Sequence, residues 1–322
     1  MPRLTPSLRL SPARARASVA LLGALMLATA CVRRPTTAPD IGIIAPQPDH
    51  GAMAHEAPAP GMAGMAGSMA LPPGAGEASA RLAASPRHGE WVMVGTGLAA
   101  PDDSVRAWVV YPQRADKAPV IVVVHEIFGL STWVRSVADQ LAADGFIAVA
   151  PDLLTGKRLA GSPDNVPIDS AIAAIRTLNP ETVQRQLDAV ARYGMALPAA
   201  RPVYGVVGFC WGGATSFAHA VHAAGLGASV VYYGVSPAVA VLGSVRAPVL
   251  GLYGGNDARV NATIPAADSA LRAMSRTYQA VTFPGAGHGF LRQQDGQAGA
   301  NLAATQEAWP KTLAWFRRYL GG

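Results

Sequence analysis

Cysteine is nearly absent from this 322-residue chain, which has two, Cys31 and Cys210. That excludes a disulfide-stapled scaffold, and each cysteine has a separate use argued below, so no bridge between them is expected. Acidic residues are missing from residues 1–31, which carry Arg3, Arg9, Arg14 and Arg16. Most of the formal charge of +6 comes from there; without that segment 22 basic residues face 20 acidic ones. No Lys/Arg cluster lies elsewhere, which excludes a nucleic-acid footprint. The apolar run near the start, Val19 to Leu27, is too short for a membrane-spanning helix. Internal repeats are also lacking. Half of the residues are apolar, enough for one large α/β domain or two small ones.

What is present at the start has the three-part form of an export signal: arginines, an apolar run, then small residues. Leu27-Ala28-Thr29-Ala30-Cys31 resembles a bacterial lipoprotein box, in which Cys31 is lipidated after cleavage. Ala28 stands where Leu is usual, and Ala28-Thr29-Ala30 also fits an ordinary A-x-A cleavage site. Either way the protein is expected to be exported to the periplasm or cell envelope, touching the membrane only through the lipid. Residues 32–87 are rich in Pro, Ala, Gly and Met without apolar periodicity, which predicts a disordered tether. His50, Met53, His55, Met62, Met65 and Met69 lie close together there. Thioether and imidazole suit Cu(I), but no ligand spacing is fixed, so no metal site is assigned. A non-catalytic binding protein with a copper-capturing tether is the alternative from another class.

The folded domain is expected over 88–322. Trp91–Thr96, Val105–Tyr111, Pro119–Val124, Gly145–Asp152, Pro202–Phe209, Ala228–Tyr233, Pro248–Tyr253 and Gln279–Phe283 read as strands. Helical patterns separate them, including Thr132–Asp144, Pro180–Leu197 and a terminal Ala303–Tyr319. Alternation of this kind predicts a mostly parallel, doubly wound α/β sheet with helices on both faces. Ligand sites in such sheets lie beyond the C-terminal strand ends.

Gly208-Phe209-Cys210-Trp211-Gly212 follows one strand and opens a helix. Glycines at these positions allow the sharp turn of a nucleophile elbow, and the helix N-terminus can support a thiolate or an oxyanion. A lone cysteine in such a place can equally be buried and inert. Asp257, in Gly254-Gly255-Asn256-Asp257, and His288, in Gly287-His288-Gly289-Phe290, follow two later strands. Each alone could be a turn or capping residue. Together they stand at one sheet edge in the order nucleophile, acid, histidine, which is the α/β-hydrolase order. His288 would take the thiol proton and return it to the leaving group, and Asp257 would orient the imidazole.

His125-Glu126-Ile127-Phe128-Gly129, Gly208-Phe209-Cys210-Trp211-Gly212-Gly213, Gly255-Asn256-Asp257 and Gly287-His288-Gly289-Phe290 together resemble the dienelactone hydrolase family of α/β-hydrolases. The resemblance covers about residues 88–321. It implies the α/β-hydrolase fold, no cofactor and cleavage of a small ester or lactone through a thioester; a monomer is expected. A broad esterase or an acyl thioesterase is the nearest alternative. It further implies that Glu126 lies beside Cys210, holds the resting thiol neutral and accepts its proton when substrate arrives. The N–H groups of Ile127 and Trp211 would form the oxyanion hole. Arg292, four residues after His288, would bind a substrate carboxylate. The family's second carboxylate-binding arginine has no matching residue in the loop after Asp152.

Overall fold

The structure, a computed structural model, describes residues 70–157, 159 and 166–321. The segment expected to be an export signal, Cys31 and the Met/His stretch lie outside the described residues. Eight strands form one sheet: β1 Gly89–Gly95, β2 Ser104–Val110, β3 Ala118–Val124, β4 Ile147–Asp152, β5 Ala200–Phe209, β6 Ala228–Tyr232, β7 Val249–Gly254 and β8 Tyr278–Phe283. Their spatial order is β1-β2-β4-β3-β5-β6-β7-β8. The pairs β1–β2 and β2–β4 are antiparallel and every other pair is parallel. This is the mixed α/β sheet of an α/β-hydrolase.

The sequence of β3 shows why the sheet is central. All seven of its residues are buried, as a strand covered on both faces requires. Val120, Val122 and Val124 enter one apolar cluster, and Ile121 and Val123 enter another. The period of two thus divides one β-branched run between two cores. The first core is closed by α4 Pro180–Ala196, α5 Trp211–His222 and α7 Ile264–Ala273, through residues such as Leu187, Phe217 and Leu271. The second is closed by α2 Thr132–Ala143 and α8 Ala300–Leu320, through Val137, Leu141, Trp309, Leu313 and Phe316.

Local signals set the element ends. Ser131 caps α2 through its side chain, and Asn179 caps α4, where Pro180 takes the first helical position. Gly145, at φ +100°, ends the turn after α2, so β4 starts at Ile147 rather than at Gly145. Two further helices are α3 Ile168–Ile175, in a segment expected to be a loop, and the single turn α6 Ala258–Asn261.

The described residues begin at 70, ahead of His88, and residues 70–87 of the segment expected as a tether lie against the domain. Residues 71–87 form a strap with one short helix, α1 Ala78–Ala83. Trp133 Nε1 donates to the Pro73 carbonyl at 3.0 Å, and Gln294 Nε2 to the Pro72 carbonyl at 2.9 Å. Arg87 grips Asp139 of α2 with both Nε and Nη2, at 2.9 and 2.5 Å. A segment too poor in apolar residues to fold alone is thus held by polar contacts to distant side chains.

β3 leads to β4 on one side, and β5 lies on the other side of β3. The crevice between the ends of β3 and β5 is therefore a topological switch point, where parallel sheets place their ligands. Glu126 follows β3 and Cys210 follows β5.

Candidate active site

Cys210 sits at φ +56°, ψ −115°, between β5 and α5. A non-glycine residue at positive φ is strained by its Cβ, and that cost is held by the packing around it. The Cys210 N–H donates to the Tyr232 carbonyl at 3.1 Å, and its own carbonyl accepts from Ala214 in α5. The flanking glycines have a steric cause. A Cβ on Gly208 would lie 1.9 Å from the Gly212 carbonyl oxygen, and one on Gly212 would lie 2.3 Å from that of His125. Only glycine lets the elbow close and lets α5 approach β3. Cys210 is a free cysteine and partly exposed. Trp211 opens α5, so its N–H is one of the helix's first, without an intrahelical acceptor.

Asp257 follows β7 and is buried. It uses both oxygens: Oδ1 accepts the Val260 N–H at 3.3 Å, capping α6, and Oδ2 pairs with His288 Nδ1 at 2.5 Å. The capping role and the imidazole-orienting role, weighed as alternatives from sequence, are both filled by one side chain. His288 follows β8; its Nε2 is buried and makes no hydrogen bond among the described residues. Burial disfavours the imidazolium, but the Asp257 hydrogen bond and then the Cys210 sulfur outweigh it and raise the pKa of His288 to about 10.

Glu126 is 3% exposed, and its Oε2 lacks a hydrogen bond. Burial pushes its pKa up to about 7, against the opposing pull of Arg292 and then His288. Arg292 Nε lies 3.4 Å from Glu126 Oε2, an ion pair outside hydrogen-bonding geometry. The Arg292 guanidinium also covers the Phe128 ring at 4.8 Å. Arg292 was expected to face substrate; in this structure it faces Glu126. Its backbone carbonyl accepts the Ala75 N–H at 2.8 Å, so the strap touches the loop that carries it. Ile127, the residue after Glu126, is buried.

Tyr233 was missed in the sequence. It stands one residue past β6 at φ +40°, fully buried, with an unpartnered hydroxyl. Its ring meets that of His288 edge-on at 5.1 Å. Burial first, then the charges of Glu126 and Cys210, raise its pKa far above the ordinary phenol value, so it stays neutral. Its signal was positional: it follows a strand end, as Asp257 and His288 do, but it was counted into the strand.

The arrangement offers a thiol, an imidazole on a buried carboxylate, a second buried carboxylate and a cation, all at one sheet edge. It can move a proton between sulfur, nitrogen and a leaving oxygen.

Comparison with known proteins points the same way. The family model described as "Dienelactone hydrolase family" matches residues 105–320. A Salmonella typhimurium protein provisionally named a carboxymethylenebutenolidase is 32% identical over 240 residues, covering 70% of this chain and 87% of its own. Its Escherichia coli K12 counterpart in name is 30% identical with the same coverage. A crystal structure from Klebsiella pneumoniae, provisionally described as a dienelactone hydrolase, superimposes with a TM-score of 0.63 at 29% identity, over 72% of this chain and 99% of that one. The chain belongs to the dienelactone hydrolase family and is a carboxylic ester hydrolase of α/β-hydrolase fold.

Proposed function

We propose that this enzyme cleaves a small ester or lactone with Cys210 as nucleophile, through an acyl thioester. The observation that carries this reading is the Asp257–His288 pair, whose free Nε2 belongs to an imidazole that feels the Cys210 sulfur. The thiol proton passes to His288 Nε2 before attack, as the raised pKa of the imidazole allows, and the thiolate then attacks the carbonyl carbon. The tetrahedral oxyanion is held by the Ile127 and Trp211 N–H groups. Its collapse breaks the acyl–oxygen bond, and the leaving alkoxide takes the proton from His288. A water molecule, giving its proton to His288, then attacks the thioester, and the thiol is regenerated with release of the acid. In a lactone the leaving alkoxide remains part of the same product.

Glu126 and Arg292 give the cycle a substrate-dependent start. A substrate carboxylate that drew Arg292 away would leave Glu126 without its cation, a more basic group beside the thiol. This favours esters or lactones that carry a carboxylate over neutral ones.

Brief exposure to an activated aryl ester, followed by intact-protein mass spectrometry, tests the reading. One acyl group on Cys210 is expected, with none on Cys210→Ala. Turnover by the wild type with no acylated Cys210 under any quench would overturn it. A panel of lactones, aryl esters and thioesters separates the lactonase from the broad esterase and the thioesterase.

A further inference from the structure

The buried histidine next to Glu126 has no part in the cycle above, yet its contacts are specific. His125 is 0% exposed. Its Nε2 lies 3.2 Å from the Leu153 N–H, at the end of β4. A backbone N–H can only donate, so Nε2 is the unprotonated acceptor and the ring proton sits on Nδ1. That nitrogen is 2.7 Å from the Glu126 carbonyl oxygen and donates to it. The same carbonyl also accepts the Gly129 N–H, more weakly, at 3.3 Å. The His125 ring stacks on Trp211 at 5.5 Å with 24° between the planes.

The Glu126 carbonyl and the Ile127 N–H belong to one peptide group. That group is planar and trans, so the direction of one fixes the direction of the other. A hydrogen bond to the carbonyl therefore aims the N–H. His125 thus acts on the proposed donor of Ile127 through the shared peptide, and its ring packs on the Trp211 side chain. The Leu153 bond ties the ring to the turn that directly follows β4, so the reference lies outside the Glu126 loop.

We infer that His125 is a positioning residue that presets the oxyanion hole, holding the Glu126–Ile127 peptide with Nδ1–H while the turn after β4 holds Nε2. The inference rests on the oxyanion-hole reading above. Burial lowers the pKa of His125, and its neutral form is the one these bonds require.

Three variants separate the contacts. In His125→Asn the amide nitrogen falls near Nδ1 and can keep the bond to Glu126 O. In His125→Gln the amide reaches toward Leu153 and loses that bond. In His125→Phe both are lost while the ring stacking remains. Misaiming an oxyanion donor costs roughly 10²-fold in kcat. The Phe variant is expected to lose about that much with KM within about twofold, Asn to recover most of it, and Gln to stay low. Binding of a trifluoromethyl ketone, which forms a tetrahedral adduct on sulfur, should weaken in parallel with kcat, while binding of an unreactive amide isostere of the substrate should not. Asn as impaired as Gln, or all three at wild-type kcat with only lowered urea midpoints, would reduce His125 to a packing residue. Should the wild type itself form no adduct with the ketone, the cysteine reading falls, and this inference with it.

Discussion

At the scale of single residues, Glu126 makes the clearest claim on pH. Its folded pKa is raised from 4.5 to about 7, so between these values the native state holds a proton that the unfolded chain has lost. Stability therefore falls as pH rises across that window, by about 3 kcal/mol in total. Glu126→Gln is expected to abolish this slope and to be the more stable protein above pH about 7; urea unfolding of both proteins across the window checks it. An unchanged slope would mean that the carboxylate is not the group responsible. His288 acts in the same direction higher up. Its raised pKa stabilises the fold fully below 6.5, and that contribution is lost as pH rises through about 10. Asp257→Asn is a cleaner probe of chemistry than Asp257→Ala. Asn still caps α6 at Val260 but carries no charge for the imidazole. Activity should fall roughly 10⁴-fold while the thermal midpoint moves by only a few degrees. A large loss of stability with activity retained would reverse that assignment.

At the scale of elements, the strap is the part that composition hid. Residues 70–87 show no apolar period, and their order depends on Trp133, Asp139, Gln140 and Gln294, all far away in the chain. No local signal reports such partners. The strands were legible because runs like Val120–Val124 can only be buried on both faces. The elbow was legible because its glycines have one steric explanation. Tyr233 and the Glu126–Arg292 pair were not, since a strand end and a contact between residues far apart in sequence leave no spacing to read. Arg87→Ala tests the strap. It leaves Asp139, 7% exposed, without its guanidinium and with the Ser85 hydroxyl bond remaining, and is expected to cost about 3 kcal/mol in urea unfolding. A loss below about 0.5 kcal/mol would place the pair among ordinary surface contacts. The same variant is expected to raise KM for carboxylate-bearing esters more than it lowers kcat, because Ala75 of the strap holds the Arg292 backbone.

At the scale of the whole molecule, the fold class and the edge of the sheet that carries the site followed from the alternation of strands and helices. The spatial order, with β3 between β4 and β5, required the structure. That order sets Glu126 and Cys210 on the two sides of one crevice, and β6, β7 and β8 then bring Tyr233, Asp257 and His288 along the same edge. Glu126 and Cys210 directly follow the buried strands β3 and β5, while Arg292 lies on a loop tied to the strap. Substrates with a carboxylate are expected to show a larger kcat/KM than neutral esters of equal size, and Arg292→Ala should remove that preference while leaving neutral esters within about threefold. Equal loss for both classes would show that Arg292 serves Glu126 alone.

The shared use of Asp257 has one more consequence. The Val260 amide is bonded to one oxygen of the carboxylate whose other oxygen holds His288. That amide proton cannot exchange with solvent unless α6 opens or the carboxylate rotates, and rotation also releases the imidazole. Its exchange rate is thus a substrate-free clock of how often the resting enzyme loses its acid–histidine alignment.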